Sequence, residues 1–294
     1  YDDPSICWAT VSAVCFTAMF IYMEKRQYSP YFLMDIFKLS SIRMGILLFL
    51  LLMIFNSSAM FVNVFTGVGM KIDNWQNASL GNWTMLGYFI GCIIAVMLGS
   101  RGVHLKYLFS LGFVLIGLSA LFMYFEVQTS GLYERMKYPV IIRATGMMLL
   151  YSLTAVHANQ RMPYKYLSTW ICIMLTVRMV MGPGIATALY TNVMQHRQQH
   201  YVTRFAQDRD LLNSEVAASY SQTVKGMQYQ GKSEQEAEQM AAMSAKGSVQ
   251  VQATLSAVKE MSGWTFYSCM ACAVFFLLFP WRKRKLEPYA ATVS

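Results

Sequence analysis

Apolar residues gather in seven runs along this chain, at approximately 6–23, 44–70, 84–99, 105–126, 138–159, 166–192 and 262–281. A helix that crosses a bilayer needs ~20 mostly apolar residues, and these runs have about that length. The third is the shortest, and extends either back through Trp83 or forward past Ser100. Between the last two runs the pattern changes. Leu212, Val216, Tyr220 and Val224 recur every four residues, as on one face of an amphipathic helix. Gly226 and Gly231 are expected to break that helix. Ser233 and Glu236 have the spacing of a capping box that starts a second helix. Its apolar stripe comprises Ala237, Met240, Ala241, Val251, Leu255 and Val258, weakened by Ser244 and Ser248 on the same face. The expectation is a helical hairpin that rests on its own bundle or offers another protein a docking surface.

A few polar residues interrupt the apolar runs, and their positions carry the candidate chemistry. Arg178 lies in the middle of 166–192, followed by Gly182, Pro183, Gly184, Ala186 and Ala188. A charge is costly in lipid, so Arg178 is expected either to face polar groups or water inside the bundle or to snorkel or hold a neighbour's carbonyl. Small residues at 182, 186 and 188 allow a close helix contact, and Pro183 favours a bend. Asn56, Ser57, Ser58, Asn63 and Thr66 fall in the second run, Tyr88 in the third and Tyr151 in the fifth. Asn63 and Tyr151 either hydrogen-bond between helices or line a transport path. Arg143, near the outer end of the fifth run, reads as an anchor whose guanidinium snorkels outward. Gly87 and Gly91 form a G-x-x-x-G pair suited to helix packing.

Composition supports the membrane reading. Of the 294 residues 55% are hydrophobic and 13% charged, with mean hydropathy +0.36. The net charge of +9 does not point to nucleic acid, because the basic residues punctuate apolar spans instead of lining one face. They give an orientation. Lys25, Arg26, Lys38, Arg43, Arg101, Lys106, Arg161, Lys165 and the 282–285 tail lie on one side. Only Lys71, Arg135 and Lys137 lie in the short loops of the other. The richer side is expected to be cytoplasmic, with the N-terminus outside and the C-terminus inside. Asn77-Ala-Ser79 and Asn82-Trp-Thr84 are sequons on the outer side.

The motifs of enzymes are missing: no HExxH, P-loop or nucleophile elbow appears. His196 and His200 have no third ligand nearby, and Cys269-Met-Ala-Cys272 sits in an apolar run as packing residues. Neither metal nor cofactor is expected. No acid occupies the centre of a run, with Glu24 and Glu126 at run ends. A proton-coupled carboxylate is therefore expected elsewhere. The first residue is Tyr1, and the chain is expected to be a fragment.

Several stretches resemble the C-terminal half of a fourteen-span major facilitator drug:proton antiporter of the EmrB/QacA type. Pro30 to Phe37 with Lys38 and Arg43 is similar to that family's lead into its C-terminal bundle. Arg143-Ala-Thr-Gly146-Met147 resembles its R-x-x-G-M span, and Arg178-Met-Val-Met-Gly182-Pro-Gly184-Ile-Ala186 its glycine-rich span. Asn63-Val-Phe-Thr-Gly67 departs from the family's Pro-Tyr-Gln-like exit. The resemblance implies an all-α membrane fold. Residues 1–24 would be an inserted span, 25–43 a cytoplasmic connection and 44–194 five spans of a six-helix bundle. Residues 195–261 would form an outer helical segment, 262–281 the last span and 282–294 a basic tail.

It also implies export of amphipathic small molecules by proton antiport across the inner (cytoplasmic) membrane. The partners would be a missing N-terminal half, a periplasmic adaptor and an outer-membrane channel. Arg178, Gly182, Pro183, Gly184, Arg143, Asn63 and Tyr151 are the candidates for the transport path or its conformational change. A seven-span receptor is the alternative.

Overall fold

A computed structural model describes residues 4–26, 33–128, 132–159, 164–208 and 214–278. Most of these residues are helical, with no strand among them. Ten α-helices are found: α1 (Pro4–Arg26), α2 (Ser40–Asn56), α3 (Ala59–Val64), α4 (Asn74–Ser100), α5 (Leu105–Glu126), α6 (Lys137–Asn159), α7 (Leu167–Thr176), α8 (Gly182–Asp208), α9 (Ser214–Tyr229) and α10 (Glu234–Leu278). Two π-helical turns, Phe65–Gly69 and Val177–Met181, follow α3 and precede α8. Among the described residues seven helical segments are long and apolar enough to cross a membrane. This is an all-helical, multi-pass membrane architecture.

The chain divides into two compact units, residues 1–51 with 154–183, and residues 52–153 with 184–294. In the first, Phe49 packs against Trp170 with ring centroids 6.3 Å apart, and the Leu33 backbone N–H donates to Thr169 Oγ1 at 3.2 Å. Ile36, Ile42 and Trp170 are its buried centre, while Trp8, Phe16 and Phe20 of α1 stay exposed. A 3₁₀ turn, Met34–Lys38, carries an exposed pair in which the Lys38 ammonium holds the Asp35 carboxyl below its usual range. The 166–192 run meets its proline here. Pro183 has no N–H to donate, and the preceding turn adjusts by widening: the Gly182 N–H reaches back to the Val177 carbonyl. The expected bend thus takes the form of a π turn before the proline, and the helix continues beyond it.

The second unit is built on glycine contacts. A Cβ on Gly87 would meet the Ile141 carbonyl at 2.5 Å, and one on Gly91 the Thr145 carbonyl at 2.6 Å. The G-x-x-x-G pair therefore brings α4 backbone to backbone with α6. Thr145 Oγ1 lies 3.1 Å from the Gly87 carbonyl across that contact. Gly146 makes the equivalent approach to α5, where a Cβ would stand 2.8 Å from the Gly112 carbonyl. Phe109 and Phe113 of α5 stack on Phe276 of α10 at 5.6 and 5.2 Å.

Two expected boundaries move and one holds. The third span begins at Asn74, ahead of the expected 84, and ends in a Schellman turn. There Gly102 has φ +70, and the N–H groups of Val103 and Gly102 bond the Leu98 and Gly99 carbonyls. Gly226 does not break α9; Gly231, at φ +87, makes the turn. The capping box then starts α10: Ser233 N–H donates to Glu236 Oε2 at 3.2 Å, and Glu236 N–H to Ser233 Oγ at 3.4 Å.

The last span is not separate from the hairpin. α10 runs unbroken for 45 residues, roughly 67 Å at 1.5 Å per residue, against a hydrocarbon core of ~30 Å. No proline falls within it to stop it. α8 also extends past its apolar part, and its polar end is zipped to α10. Gln198 Nε2 donates to Thr254 Oγ1 at 2.8 Å, and Tyr201 OH to Glu260 Oε2 at 3.1 Å. Arg197 sits 3.6 Å from Glu260 and 4.7 Å over the Trp264 ring. Farther out, α9 lies along α10, with Tyr220 OH donating to the Glu238 carbonyl at 3.2 Å.

The hairpin stripe divides by location. Leu255 and Val258 are buried with Phe65, Met123 and Val127 in the bundle's own core. Ala237 and Ala241 are buried farther out, whereas Met240 is exposed. Leu212 lies outside the described residues. A consequence is testable by deletion. Removing 209–247 and joining the ends with a short flexible linker should leave a folded, inserted protein. Extending the deletion through 258 should remove three core residues, Leu255, Ala257 and Val258, of which a large side chain is worth ~2–5 kcal/mol on truncation, and abolish folding in detergent. Equal thermal stability of the two deletions would refute this division of the stripe.

Candidate functional site

The polar interruptions of the second, third and fifth spans meet at one place. α2 stops at Asn56 because two serines follow. Ser58 Oγ donates to the Phe55 carbonyl at 2.6 Å and Ser57 Oγ to the Met53 carbonyl at 3.3 Å, local bonds that compete with the helix ladder. Met60 N–H then bonds the Ser57 carbonyl at 3.0 Å, not that of Asn56 as a regular helix requires. The Asn56 carbonyl is taken by α6 instead. Arg143 Nη1 donates to it at 3.2 Å and lies 3.5 Å from Asn56 Oδ1. A cation at the carbonyl end of α2 is also favoured by the helix dipole.

Arg143 therefore does not snorkel. Its residue exposure is 8%, and its Nε is buried without a hydrogen-bond partner. Snorkelling fails because α6 is enclosed, with Gly87 and Gly146 drawing α4 and α5 onto it. No carboxylate among the described residues pairs with Arg143. The phenols of Tyr88 and Tyr151 are close enough to interact with it electrostatically, and Tyr151 OH lies 3.6 Å from Met53 Sδ.

Arg143 also lines an open recess of about 400 Å³. Val62 and Asn63 of α3 form one wall, Asn74, Asn77 and Thr84 of α4 another, and Val140 of α6 part of the floor. Asn63 is exposed at the rim and Asn77 half-buried. Thr66 Oγ1 is 2.9 Å from Asn77 Oδ1 and from the Val62 carbonyl, which ties the π turn after α3 to α4. No acidic residue lines the recess. Its volume is in the range of small-molecule sites, ~300–1,000 Å³.

Arg143, Asn63 and Tyr151 are thus gathered into one neighbourhood of the second unit. Arg178, Gly182 and Pro183 belong to the first unit, and Gly184 is where the second resumes. Arg178 is exposed. The register of the π turn explains this: Val177 is the buried residue there and Arg178 the next one round. Gly182 and Ala186 are buried, while Pro183, Gly184 and Ala188 are exposed. The buried face thus runs through Gly182, Ala186, Tyr190 and Met194, and Ala188 is not on it.

Asn74, Asn77 and Thr84 were not legible as site residues, since the sequence placed the two asparagines in an outer loop. Their signal was Asp73, an N-cap residue type ahead of Asn74. The Asn77 sequon accordingly begins inside a helix and beside the recess. A scan against protein-family models finds no match, and no curated protein compared with the chain matches it.

Proposed function

We propose that the protein is a secondary active transporter of the major facilitator type, exporting amphipathic small molecules in exchange for protons. One observation carries the reading: a buried guanidinium with a free donor edge beside a polar recess, inside an otherwise apolar bundle. An intramembrane charge of this kind is expensive and marks a substrate or ion pathway by default. The recess combines three amide side chains with apolar walls, which suits a ligand with a polar head and a hydrophobic body.

Movement has a physical basis in the interrupted helices. The Ser57–Ser58 break and the π turns at Phe65–Gly69 and Val177–Met181 are points where a helix can bend without losing a full turn of bonds. Alternating access would use them to open the recess to one side and then the other. The proton-coupling carboxylate would come from the N-terminal half that the resemblance implies. Arg178 and the 182–184 stretch are then elements of the moving helix, not of the binding site.

The orientation proposed from the lysines and arginines places the hairpin outside and the basic tail in the cytoplasm. Cysteine at Ser233 should react with a membrane-impermeant maleimide in intact cells; labelling only after lysis reverses the topology. In cells with two membranes the hairpin would meet a periplasmic adaptor. The function itself is tested with the natural protein in inverted membrane vesicles. Energised vesicles should take up an amphipathic dye, and a protonophore should abolish uptake. Dye movement that ignores the proton gradient would refute antiport.

A further inference from the structure

We infer that the recess is an anion site, and that its ligand is an amphipathic monoanion whose acidic head sits on the side-on edge of Arg143. The argument starts from the guanidinium. Nη1 is committed to the Asn56 carbonyl at the α2 break. The opposite edge of the group carries Nε and Nη2. Nε is buried and has no hydrogen-bond partner. A buried donor on a charged group that goes unsatisfied is strongly destabilising, and the same edge is the fork that carboxylates and phosphates accept in two parallel bonds.

Charge selects the sign of the ligand. Among the described residues Arg143 has no acidic partner, and the recess has no acidic lining. A cation entering would meet a bare positive charge in a medium of low dielectric, and an anion would neutralise it. One guanidinium matches one negative charge, which points to a monoanion. The donors around it fit the same head. Asn77 adds a side-chain amide held beside Thr66. Asn63 and Asn74 supply further amides at the mouth. Val62, Leu80 and Val140 supply the apolar contact for the body of the ligand.

Two sources provide this chemistry: a free organic carboxylate, and the head group of an anionic lipid entering from the bilayer. The first would be the transported class, and that assignment alone rests on the export reading; the site does not.

Binding is measured on the whole chain purified in a neutral detergent, with decanoate as probe and decyltrimethylammonium as its charge-reversed control. Decanoate should bind at least about tenfold more tightly than the cation, the scale of one charge-assisted hydrogen bond. Arg143→Gln should remove that preference, and Arg143→Lys should keep the sign but lose affinity, because lysine has no planar fork. Ala78→Phe, which narrows the recess and leaves Arg143 in place, should weaken decanoate as well, so the proposal does not depend on one variant folding. Equal binding of the two probes, or decanoate binding untouched by both Arg143→Gln and Ala78→Phe, overturns the site.

Repeating the titration in nanodiscs distinguishes the sources. If phosphatidylglycerol in place of phosphatidylcholine displaces decanoate, the site stands and lipid is its occupant. If it does not, the site stands and takes a free carboxylate. Dye uptake by vesicles is scored separately, so a protein that binds decanoate without transporting anything retains the anion site and loses the export reading.

Discussion

Replacing Arg143 with methionine should abolish proton-driven export while leaving the melting temperature unchanged or higher. The two effects separate because the residue serves the two properties in opposite directions. For stability, Arg143 brings one bond to the Asn56 carbonyl, 3.2 Å long, and the cost of a buried cation with an unsatisfied Nε. A hydrogen bond to a charged group contributes ~1.5–3 kcal/mol, and desolvating an unpaired ion costs several kcal/mol. Methionine fills much of the same volume without a charge. The Asn56 carbonyl loses its partner, which offsets part of the gain. For function, the variant removes the only cation lining the recess among the described residues. Export should fall at least tenfold. The check is a thermal melt in detergent beside dye uptake in vesicles. A lower melting temperature with full uptake would make Arg143 a structural residue and remove the basis of the proposed function.

The largest loss of stability is expected from Gly87→Val and Gly146→Val. At Gly87 the added Cβ would lie 2.5 Å from a backbone oxygen and 2.6 Å from Ala144 Cβ; at Gly146 it would lie 2.8 Å from the Gly112 carbonyl. Backbone atoms cannot swing aside as a side-chain tip can, so α6 has to move away from α4 or α5. Overpacking of this kind costs ~1–3 kcal/mol, with more expected where two backbones touch. The displacement would also shift Arg143, which is carried on the same helix. Gly184→Ala is the control, since nothing lies within 4 Å of a Cβ there. Unfolding titrations of the three variants should rank Gly184→Ala near the parent and the other two far below. A Gly87→Val protein as stable as the parent would mean that α4 and α6 do not meet in this way.

These two outcomes turn on residues that the sequence presented very unequally. Gly87 and Gly91 were readable because small residues four apart share one helix face. Arg143 was readable only as a charge in an apolar run, and its snorkelling looked reasonable near a span end. Its burial follows from Gly146 and Gly87, which close two neighbours around α6. Arg178 went the other way. A mid-span charge suggests an inward side chain, but the buried face of α7, Trp170 and Ile173, runs on to Val177 and leaves Arg178 the next residue round.

The sequence by itself determined what depends on neighbours a few positions away. The seven spans follow from runs of apolar residues, the start of α10 from the Ser233–Glu236 capping box, and the turn before it from Gly231. Each is a local rule: hydropathy over one helix length, a side chain bonding its own backbone, or a glycine at positive φ. Tertiary structure decided what depends on partners far along the chain. Only packing could bring Asn63, Asn77 and Arg143 to one recess, join the hairpin stripe of Leu255 and Val258 to the bundle core, and set which face of α6 carries its charge inward. The physical reason is that a helix fixes the angular spacing of its side chains but not its own rotation. That rotation is set by the glycine contacts with α4 and α5, and they leave the Arg143 guanidinium against the open carbonyl of Asn56.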